Sequence, residues 1–272
     1  MTNSDLIWQA AGVIRRVPFA GALNFRDIGG YPTPNGGQTR WGVVYRSDAL
    51  HYMTSADLPV FDALGVKAIY DLRRADELAQ HPGPREHIHL ELPSGNPLAE
   101  GESAKLRSRI DGERWLLEDY LGMLARAPAL FGTLFSHLAD PARLPAVIHC
   151  LGGKDRTGLT TALLLTALGV EPEVVLEDYL LTNDYRGAAN VPEIVELFVE
   201  SGMAREAAEG VLSAPRWTME KALMVLDETY GGIESYLLGP GRMSPVRLAA
   251  LRAALATSEL RGPGHKTGTT PH

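Results

Sequence analysis

The segment from Pro145 to Leu168 constrains the fold of this chain more than any other part of its sequence. It opens with a short β-type run that ends at Cys150, and a glycine-containing loop follows. From Thr157 onward the segment is apolar on nearly every face of a helix, which is typical of a buried helix. A strand that leads through a short loop into a buried helix predicts an α/β domain.

The rest of the chain has short strands and turns mainly in its first half and helices in its second half. Residues 66–71 and the alternating residues 88–92 have strand patterns, and a helical pattern over 58–64 precedes the first of them. Further helices are predicted over 114–138, with an interruption near Pro128, and over 172–183, 192–200, 204–212, 218–230 and 244–256. We expect one domain over residues 1–260 and a disordered tail over 261–272, where the residues are small, polar and basic.

Composition excludes several classes of protein. The 272 residues carry a formal net charge of -7, which argues against a general affinity for nucleic acid or for anionic membranes. The one cysteine excludes an intramolecular disulfide and a zinc site built from several cysteines. No stretch approaches the ~20 apolar residues of a transmembrane segment, and Met1 to Ala11 lack a Sec-type signal pattern. We expect a cytoplasmic protein, with export without a cleavable signal peptide as the alternative.

The loop after Cys150 has the features of a site for a tetrahedral anion. Gly152 and Gly153 allow the backbone to curl so that several N–H groups converge, and the helix N-terminus adds the positive end of its dipole. Arg156, six residues after Cys150, carries a planar fork that can hold two phosphate oxygens. The residues expected to surround a bound phosphate ion are Leu151, Gly152, Gly153, Lys154, Asp155 and Arg156.

This anion site would also activate the cysteine, because it stabilises Cys150 as a thiolate at neutral pH. A thiolate can attack phosphorus and form a phosphocysteine, which water then hydrolyses, with no metal or cofactor. Arg156 and the backbone N–H groups would stabilise the equatorial oxygens, Lys154 would add a second cation, and Thr157 would hydrogen-bond the departing thiolate. The alternative is a structural cysteine with a chance spacing to an arginine. It does not account for the glycines, the preceding strand and the buried helix.

The loop sequence HCLGGKDRTG, residues 149–158, resembles the signature of protein tyrosine phosphatases and of related dual-specificity and lipid phosphatases. The box NFRDIGG, residues 24–30, resembles that of a bacterial and fungal branch of these enzymes. Further segments match the branch in the same order: 45–48, 71–73 with Glu77, 178–183 and 230–236. The resemblance implies a central, mostly parallel sheet flanked by helices, a helical C-terminal half and hydrolysis of phosphotyrosine. It adds phosphoserine and phosphothreonine as further substrates.

Cleavage of a phosphate ester also needs a proton donor for the leaving oxygen. Many tyrosine phosphatases use an Asp on a loop upstream of the cysteine. The corresponding loop here, residues 93–97, has none, and Glu100 and Glu102 form no recognisable motif. Two candidates remain. Resemblance to the branch suggests Asp155, inside the phosphate loop, whereas Asp71 ends a β-type run, where the carboxyl ends of strands tend to face the site.

Other charged residues near these motifs have a structural interpretation as well as a functional one. If Asp71 is not the acid, it is expected to form an ion pair with one of three arginines, Arg26, Arg46 or Arg73. Arg26 and Asp27 either line the pocket or tie the N-terminal segment to the core. His149 is expected to support the loop by hydrogen bonding rather than to act as a base. It is not expected to form a metal site with Cys150, because adjacent residues on a strand point to opposite faces.

Residues 187–214 are predicted to form short helices rich in Val, Leu and Ala. These helices either pack in the core or cover the phosphate loop as a lid, as the resemblance suggests, with Gly187 and Gly202 as hinges. A lid would shield a thiolate from oxidation and would accommodate apolar substrates such as lipids.

The substrate is expected to be a phosphorylated protein, and a phosphoinositide is the alternative, because Lys154-Asp155 resembles loops that accept such lipids. A rhodanese-like sulfurtransferase is a second alternative, although its loops usually lack the Lys-Asp-Arg-Thr-Gly continuation. A non-catalytic phosphate-binding module is a third, and the presence of both Cys150 and Arg156 argues against it.

Overall fold

Five short strands form the central sheet in the computed structural model, which describes residues 15–258. The strands are β1 (Arg26–Asp27), β2 (Val44–Ser47), β3 (Ala68–Asp71), β4 (Ile88–His89) and β5 (Ala146–His149). Their order across the sheet is β1-β2-β5-β3-β4. β1 runs antiparallel to β2, whereas all other neighbours are parallel. The predicted α/β fold with a mostly parallel sheet is therefore confirmed.

The helices of the described range flank this sheet and fill the second half of the chain. They are α1 (Asp57–Ala63), α2 (Ala75–Gln80), α3 (Arg109–Arg126), α4 (Pro128–Leu138), α5 (Asp155–Ala167), α6 (Pro172–Arg186), α7 (Pro192–Glu200), α8 (Arg205–Leu212), α9 (Arg216–Tyr230), α10 (Ile233–Leu238) and α11 (Pro245–Leu255). Short 3-10 turns cover Leu50–Tyr52, Ser103–Lys105, Pro141–Arg143 and Ala188–Asn190. None of the helices described is both long and apolar enough to cross a membrane.

Element boundaries agree with the sequence pattern at Pro128 and differ from it at the strand over 88–92 and at the start of α5. The strand expected over 88–92 is regular only over Ile88–His89, because its partner β3 ends at Asp71. The predicted interruption near Pro128 is the boundary between α3 and α4, since proline has no N–H to continue the ladder of α3. α5 begins at Asp155, so the last residues of the phosphate loop already lie in its first turn.

Two apolar layers cover the sheet. On one face, Ile148 of β5 packs with residues of α3, α4, α5 and α9–α11 in the largest buried cluster. On the other face, Phe19, Phe25 and Phe61 pack against Val147. Because β5 is central and all four of its residues are buried, the loop that follows it starts from a rigid position.

A separate apolar cluster joins α3 to α7 and α8 and includes Leu116, Phe198 and Val211. α3 and α8 approach each other closely, since a Cβ at Gly112 would lie 2.4 Å from the carbonyl oxygen of Ala207. The residues predicted as a lid are thus fastened to α3 along α8. The predicted tail over 261–272 and the segment Met1 to Ala11 lie outside the described residues.

Candidate active site

The carboxyl ends of three parallel strands meet where the phosphate loop begins. His149, the last residue of β5, is in register with Ser47 of β2 and with Asp71 of β3. Cys150 follows at 2% exposure, and α5 begins five residues later. Gly153 has φ +63, and a Cβ there would lie 2.5 Å from backbone atoms of Ser47. The turn therefore requires glycine both for its conformation and for its close approach to β2.

Donors outside the loop bind the loop carbonyls. Asn24 Nδ2 donates to the carbonyl oxygens of Gly152 and Gly153, at 3.3 and 3.0 Å. Arg46 Nη2 donates to the Gly153 carbonyl at 2.8 Å, and a backbone N–H after β2 donates to that of Leu151 at 3.0 Å. The C=O and N–H of one peptide plane point in opposite directions. With the carbonyls turned outward, the next N–H groups are directed at the loop centre, as an anion nest requires.

Glu77 of α2 holds the guanidinium of Arg156 through both carboxylate oxygens. Nη1 lies 2.5 Å from Oε2, and Nη2 lies 3.0 Å from Oε1. Burial alone would lower the pKa of Arg156, but the neighbouring Cys150 and Glu77 raise it above its ordinary value. Glu77 was noted in the sequence only as part of a matching segment, and its role as the partner of Arg156 depends on the tertiary contact.

The ammonium group of Lys154 is turned toward the end of α8. Nζ donates to the carbonyl oxygens of Val211 and Ser213, at 2.5 and 2.8 Å, and lies 2.9 Å from Asp155 Oδ1. These three acceptors match the three ammonium hydrogens. Burial lowers the pKa of Lys154, although Asp155 opposes the shift. In this arrangement Lys154 links the phosphate loop to the predicted lid, and its expected contact with phosphate stays a prediction.

Asp155 is the first residue of α5 and lines the cavity above the loop. Its Oδ1 accepts a hydrogen bond from Tyr120 Oη at 2.8 Å, and Tyr120 Oη in turn lies 2.8 Å from Tyr179 Oη. Burial raises the pKa of Tyr120 well above its ordinary value, so this phenol stays protonated as a donor. Tyr120 and Tyr179 were not identified from the sequence as site residues.

Asp71, the other candidate acid, is enclosed by an ion pair. Its carboxylate accepts from Arg73 Nε at 3.0 Å and from Arg73 Nη2 at 2.6 Å, and the residue is 0% exposed. Burial would raise the pKa of Asp71, but the hydrogen bonds from Arg73 lower it below its ordinary value. Of the three arginines considered, Arg73 is therefore the partner. His149 lies beneath the loop, where burial lowers its pKa to about 4, with Nδ1 3.2 Å from the Cys150 carbonyl oxygen.

Arg26 and Arg46 converge on Asp178 of α6. Arg26 Nε lies 3.2 Å from Asp178 Oδ1, and Arg46 Nη1 lies 2.5 Å from Oδ2. Asp27 accepts the backbone N–H groups of Gly29 and Gly42, at 2.7 and 2.6 Å, and burial raises its pKa to about 6. These contacts tie the N-terminal segment to the core and to α6, and neither Arg26 nor Asp27 lines the cavity.

Thr157 is fully buried behind the loop. Among the residues described, its Oγ1 has no hydrogen-bond partner, so the expected bond to Cys150 is not formed in this structure. Between residues 15 and 258 we find no group of three or more His, Cys, Asp or Glu side chains arranged to hold a metal ion.

A cavity of about 480 Å³ opens over the phosphate loop. The loop residues Leu151, Gly152, Lys154, Asp155 and Arg156 form its floor. Its walls come from α2, from the loop 94–98 and from apolar side chains of α3, α7 and α8, including Trp115, Leu197 and Phe198. Asp119 and Arg186 also line it, and no local pattern in the sequence marked either residue. The cavity thus combines a polar floor with an apolar wall.

Comparison with known proteins places these features in one family. The model of the tyrosine phosphatase family matches residues 17–257. The triple specificity protein phosphatase PtpB of Mycobacterium tuberculosis is 28% identical over 268 residues, which covers 84% of this chain and 94% of that protein. A putative tyrosine-protein phosphatase of Cupriavidus necator is 27% identical and covers 79% of this chain and 80% of its own. A tyrosine-protein phosphatase of Nostoc commune is 30% identical over 52% of this chain and 48% of its own.

Proposed function

The chain belongs to the tyrosine phosphatase family, and we propose that it hydrolyses phosphotyrosine through a covalent phosphocysteine on Cys150. The observation that carries this proposal is the loop geometry. The carbonyls of residues 151–153 are held outward, Cys150 lies where the loop begins, and Glu77 fixes the guanidinium of Arg156 beside it. A tetrahedral phosphoryl group fits such a nest of N–H groups with one bidentate cation.

In the proposed mechanism the Cys150 thiolate attacks phosphorus in line as the bond from phosphorus to the ester oxygen breaks. Asp155 gives its proton to the leaving oxygen, so that the alcohol or phenol departs neutral. A water molecule then attacks the phosphocysteine, gives a proton to Asp155, and releases inorganic phosphate and the thiolate. In both steps Arg156 and the loop N–H groups stabilise the charge on the equatorial oxygens.

The choice of Asp155 over Asp71 rests on access. Asp155 lines the cavity, whereas both carboxylate oxygens of Asp71 are bonded to Arg73 and the residue has no exposed surface. A general acid must reach the leaving oxygen directly or through one water molecule. We therefore assign Asp71 to an ion pair that holds Arg73 behind the loop.

The range of substrates is broader in this proposal than phosphotyrosine. One relative is named for triple specificity, and the wide cavity with its apolar wall supports phosphoserine, phosphothreonine and phosphoinositides as further substrates. A phosphoinositide as the main substrate is the alternative, favoured by the apolar side chains Leu197 and Phe198 at the cavity wall.

We infer that α7 acts as a lid over the cavity. Leu197 of α7 is 52% exposed, and the turn after α7 contains Gly202 with φ +94 and open space around it. α8 is the fixed part, because it packs closely on α3 and its end is bonded to Lys154. A lid hinged at Gly187 and Gly202 would admit substrates of different sizes to the same phosphate loop.

The test compares the purified protein with its Cys150→Ser variant on p-nitrophenyl phosphate, phosphopeptides and phosphoinositides in the presence of a chelator. We expect turnover by the parent protein and a loss of at least about a thousandfold in the variant. Equal turnover by the variant, or an absolute requirement for a divalent metal, would rule the mechanism out. Trapping the phosphorylated enzyme and locating the phosphate by mass spectrometry checks the intermediate directly.

A second comparison tests the acid. Asp155→Asn should lose roughly 100-fold on an alkyl phosphate and much less on p-nitrophenyl phosphate, whose leaving group needs no proton. Asp71→Asn is the matched control, and its loss should not depend on the leaving group. If Asp155→Asn loses no more on the poor leaving group than on the good one, Asp155 is not the acid.

A further inference from the structure

Arg186, the last residue of α6, places a further cation at the cavity beside those of the phosphate loop. The residue is 8% exposed and is among those that line the cavity. Its Nε lies 3.3 Å from Asp48 Oδ2, and Asp48 is itself held by the backbone N–H groups of Leu23 and Asn24, at 3.2 and 3.1 Å. A buried ion pair anchored to the backbone in this way fixes the direction of the guanidinium.

The guanidinium lies beside the phosphate loop rather than at its centre. A Cβ built on Gly152 would be 3.3 Å from Arg186 Nη1 and 3.9 Å from Cζ. Glycine at position 152 therefore lets the guanidinium approach the loop backbone closely, because a side chain there would crowd Nη1. An anion bound by Arg186 would therefore sit next to the phosphoryl group in the loop and would not replace it.

Arg186 differs from Lys154 and Arg156, the two cations of the phosphate loop, in the number of hydrogen bonds that its nitrogens donate to the protein. Lys154 is bonded to three acceptors, and both terminal nitrogens of Arg156 are bonded to Glu77. Within residues 15–258 the ion pair of Arg186 to Asp48 uses Nε, and its terminal nitrogens have no protein hydrogen-bond partner. Two parallel N–H groups of this kind match the two oxygens of a carboxylate.

We propose that Arg186 binds an acidic side chain next to the phosphotyrosine of a peptide substrate, and so determines specificity for acidic phosphopeptides. The inference rests on the proposed phosphatase function. The apolar wall that contains Trp115 and Phe198 suits the phenyl ring of the substrate, and the guanidinium at the rim of the loop suits the charge of a neighbouring Glu or Asp. A peptide brings these two groups together, with the phosphoryl group in the loop and the acidic residue one or two positions away in sequence.

The test uses phosphotyrosine peptides in matched pairs that differ only by Glu or Gln at each of the two positions before and after the phosphotyrosine. For each pair, the ratio of kcat/KM for the Glu peptide to that for the Gln peptide is measured. For the parent protein we expect a ratio of about 10 at one or more positions. In Arg186→Gln this ratio should fall to within about twofold of unity.

Arg216→Gln is the matched control, because Arg216 lies on α9 in an exposed ion pair with Glu173 and its loss changes the net charge equally. The ratio should be unchanged in this control. If Arg186→Gln does not fold, Arg186→Lys keeps the charge but loses the fork, and its ratio should fall at least about threefold. Circular dichroism and thermal unfolding show which of the two Arg186 variants is folded, and the kcat/KM ratio is measured on that variant.

Equal ratios in the parent protein and the variant at every position would overturn the proposal. So would a parallel fall of kcat/KM for both peptides of a pair, because that result indicates a structural role for Arg186. Failure of the phosphatase function itself is a separate outcome, recognised by a parent protein that turns over neither peptide or by an active Cys150→Ser variant.

Discussion

Asp178 lies between two buried arginines, and its replacement by asparagine should destabilise the fold strongly. Its carboxylate oxygens lie 3.2 Å from Arg26 Nε and 2.5 Å from Arg46 Nη1, and Oδ1 accepts from Tyr31 Oη at 2.9 Å. The side chains of Asp178, Arg26 and Arg46 are each at most 1% exposed. Burial by itself would raise the pKa of Asp178. The charges of Arg26 and Arg46 outweigh it and hold this pKa well below its ordinary value of 3.8.

The size of the expected loss of folding free energy follows from leaving two buried positive charges without the anion that they share. Removing one partner of a buried ion pair costs about 3–5 kcal/mol of folding free energy. With a urea dependence of roughly 2–3 kcal/mol per molar, the midpoint of unfolding should fall by about 1.5 M in Asp178→Asn. Urea titration followed by circular dichroism at about pH 7 measures this shift. Asp62→Asn breaks an exposed ion pair to Arg85 and should move the midpoint by no more than about 0.3 M.

The same reasoning predicts a pH dependence with a definite sign. Because the pKa of Asp178 is lower in the folded than in the unfolded state, its contribution is fully present above about pH 4 and is lost as the pH falls toward the folded-state value. The difference in urea midpoint between the parent protein and Asp178→Asn should therefore shrink between about pH 7 and about pH 3. Midpoint shifts that are equal for Asp178→Asn and Asp62→Asn, or a difference that grows in acid, would refute the argument.

Three further predictions concern the loop and its supports. Glu77→Gln should lower kcat/KM for p-nitrophenyl phosphate roughly 10- to 100-fold, because Arg156 loses the carboxylate that orients it. The control Glu234→Gln, which breaks an exposed ion pair to Arg252, should stay within about twofold of the parent protein. Equal losses in the two variants would contradict this role of Glu77. Burial lowers the pKa of His149 from 6.5 to about 4. As the pH drops, the unfolded chain therefore takes up a proton at this residue before the folded protein does. The free energy of unfolding should fall by roughly 3 kcal/mol between about pH 6.5 and about pH 4. The dependence of the urea midpoint on pH across this range should be weaker in His149→Asn than in the parent protein. An unchanged pH dependence would contradict this role of His149. Lys154→Met should speed limited proteolysis within α7 and α8 roughly tenfold, because the carbonyls at the end of α8 lose their hydrogen-bond donor. Cleavage at the parental rate would contradict the proposal that Lys154 holds α8 to the phosphate loop.

The family and the architecture were predictable from the sequence because their signals are local. The β-type run before Cys150, the glycines after it and the apolar helix from Thr157 onward are properties of one continuous segment. The conformation that Gly153 adopts, with φ +63 against the backbone of β2, is one that only glycine accepts without strain. The predicted order of strands and helices followed from the same kind of pattern, and the sheet and the family match confirm it.

Contacts between distant segments could not be predicted in this way. The sequence left Asp71 with three arginines to choose from, and only the fold shows that it pairs with Arg73, while Arg26 and Arg46 share Asp178.

The sequence by itself therefore determined the fold around residues 149–158 and predicted a phosphate loop there, because backbone conformation and hydrophobic period are encoded by neighbouring residues. Only the tertiary structure decided that Glu77 orients Arg156, that Lys154 turns toward α8, and that Arg186 reaches the cavity from the end of α6. The physical reason is that ion pairs and hydrogen bonds act over a few ångströms, and packing alone decides which charges meet at that distance.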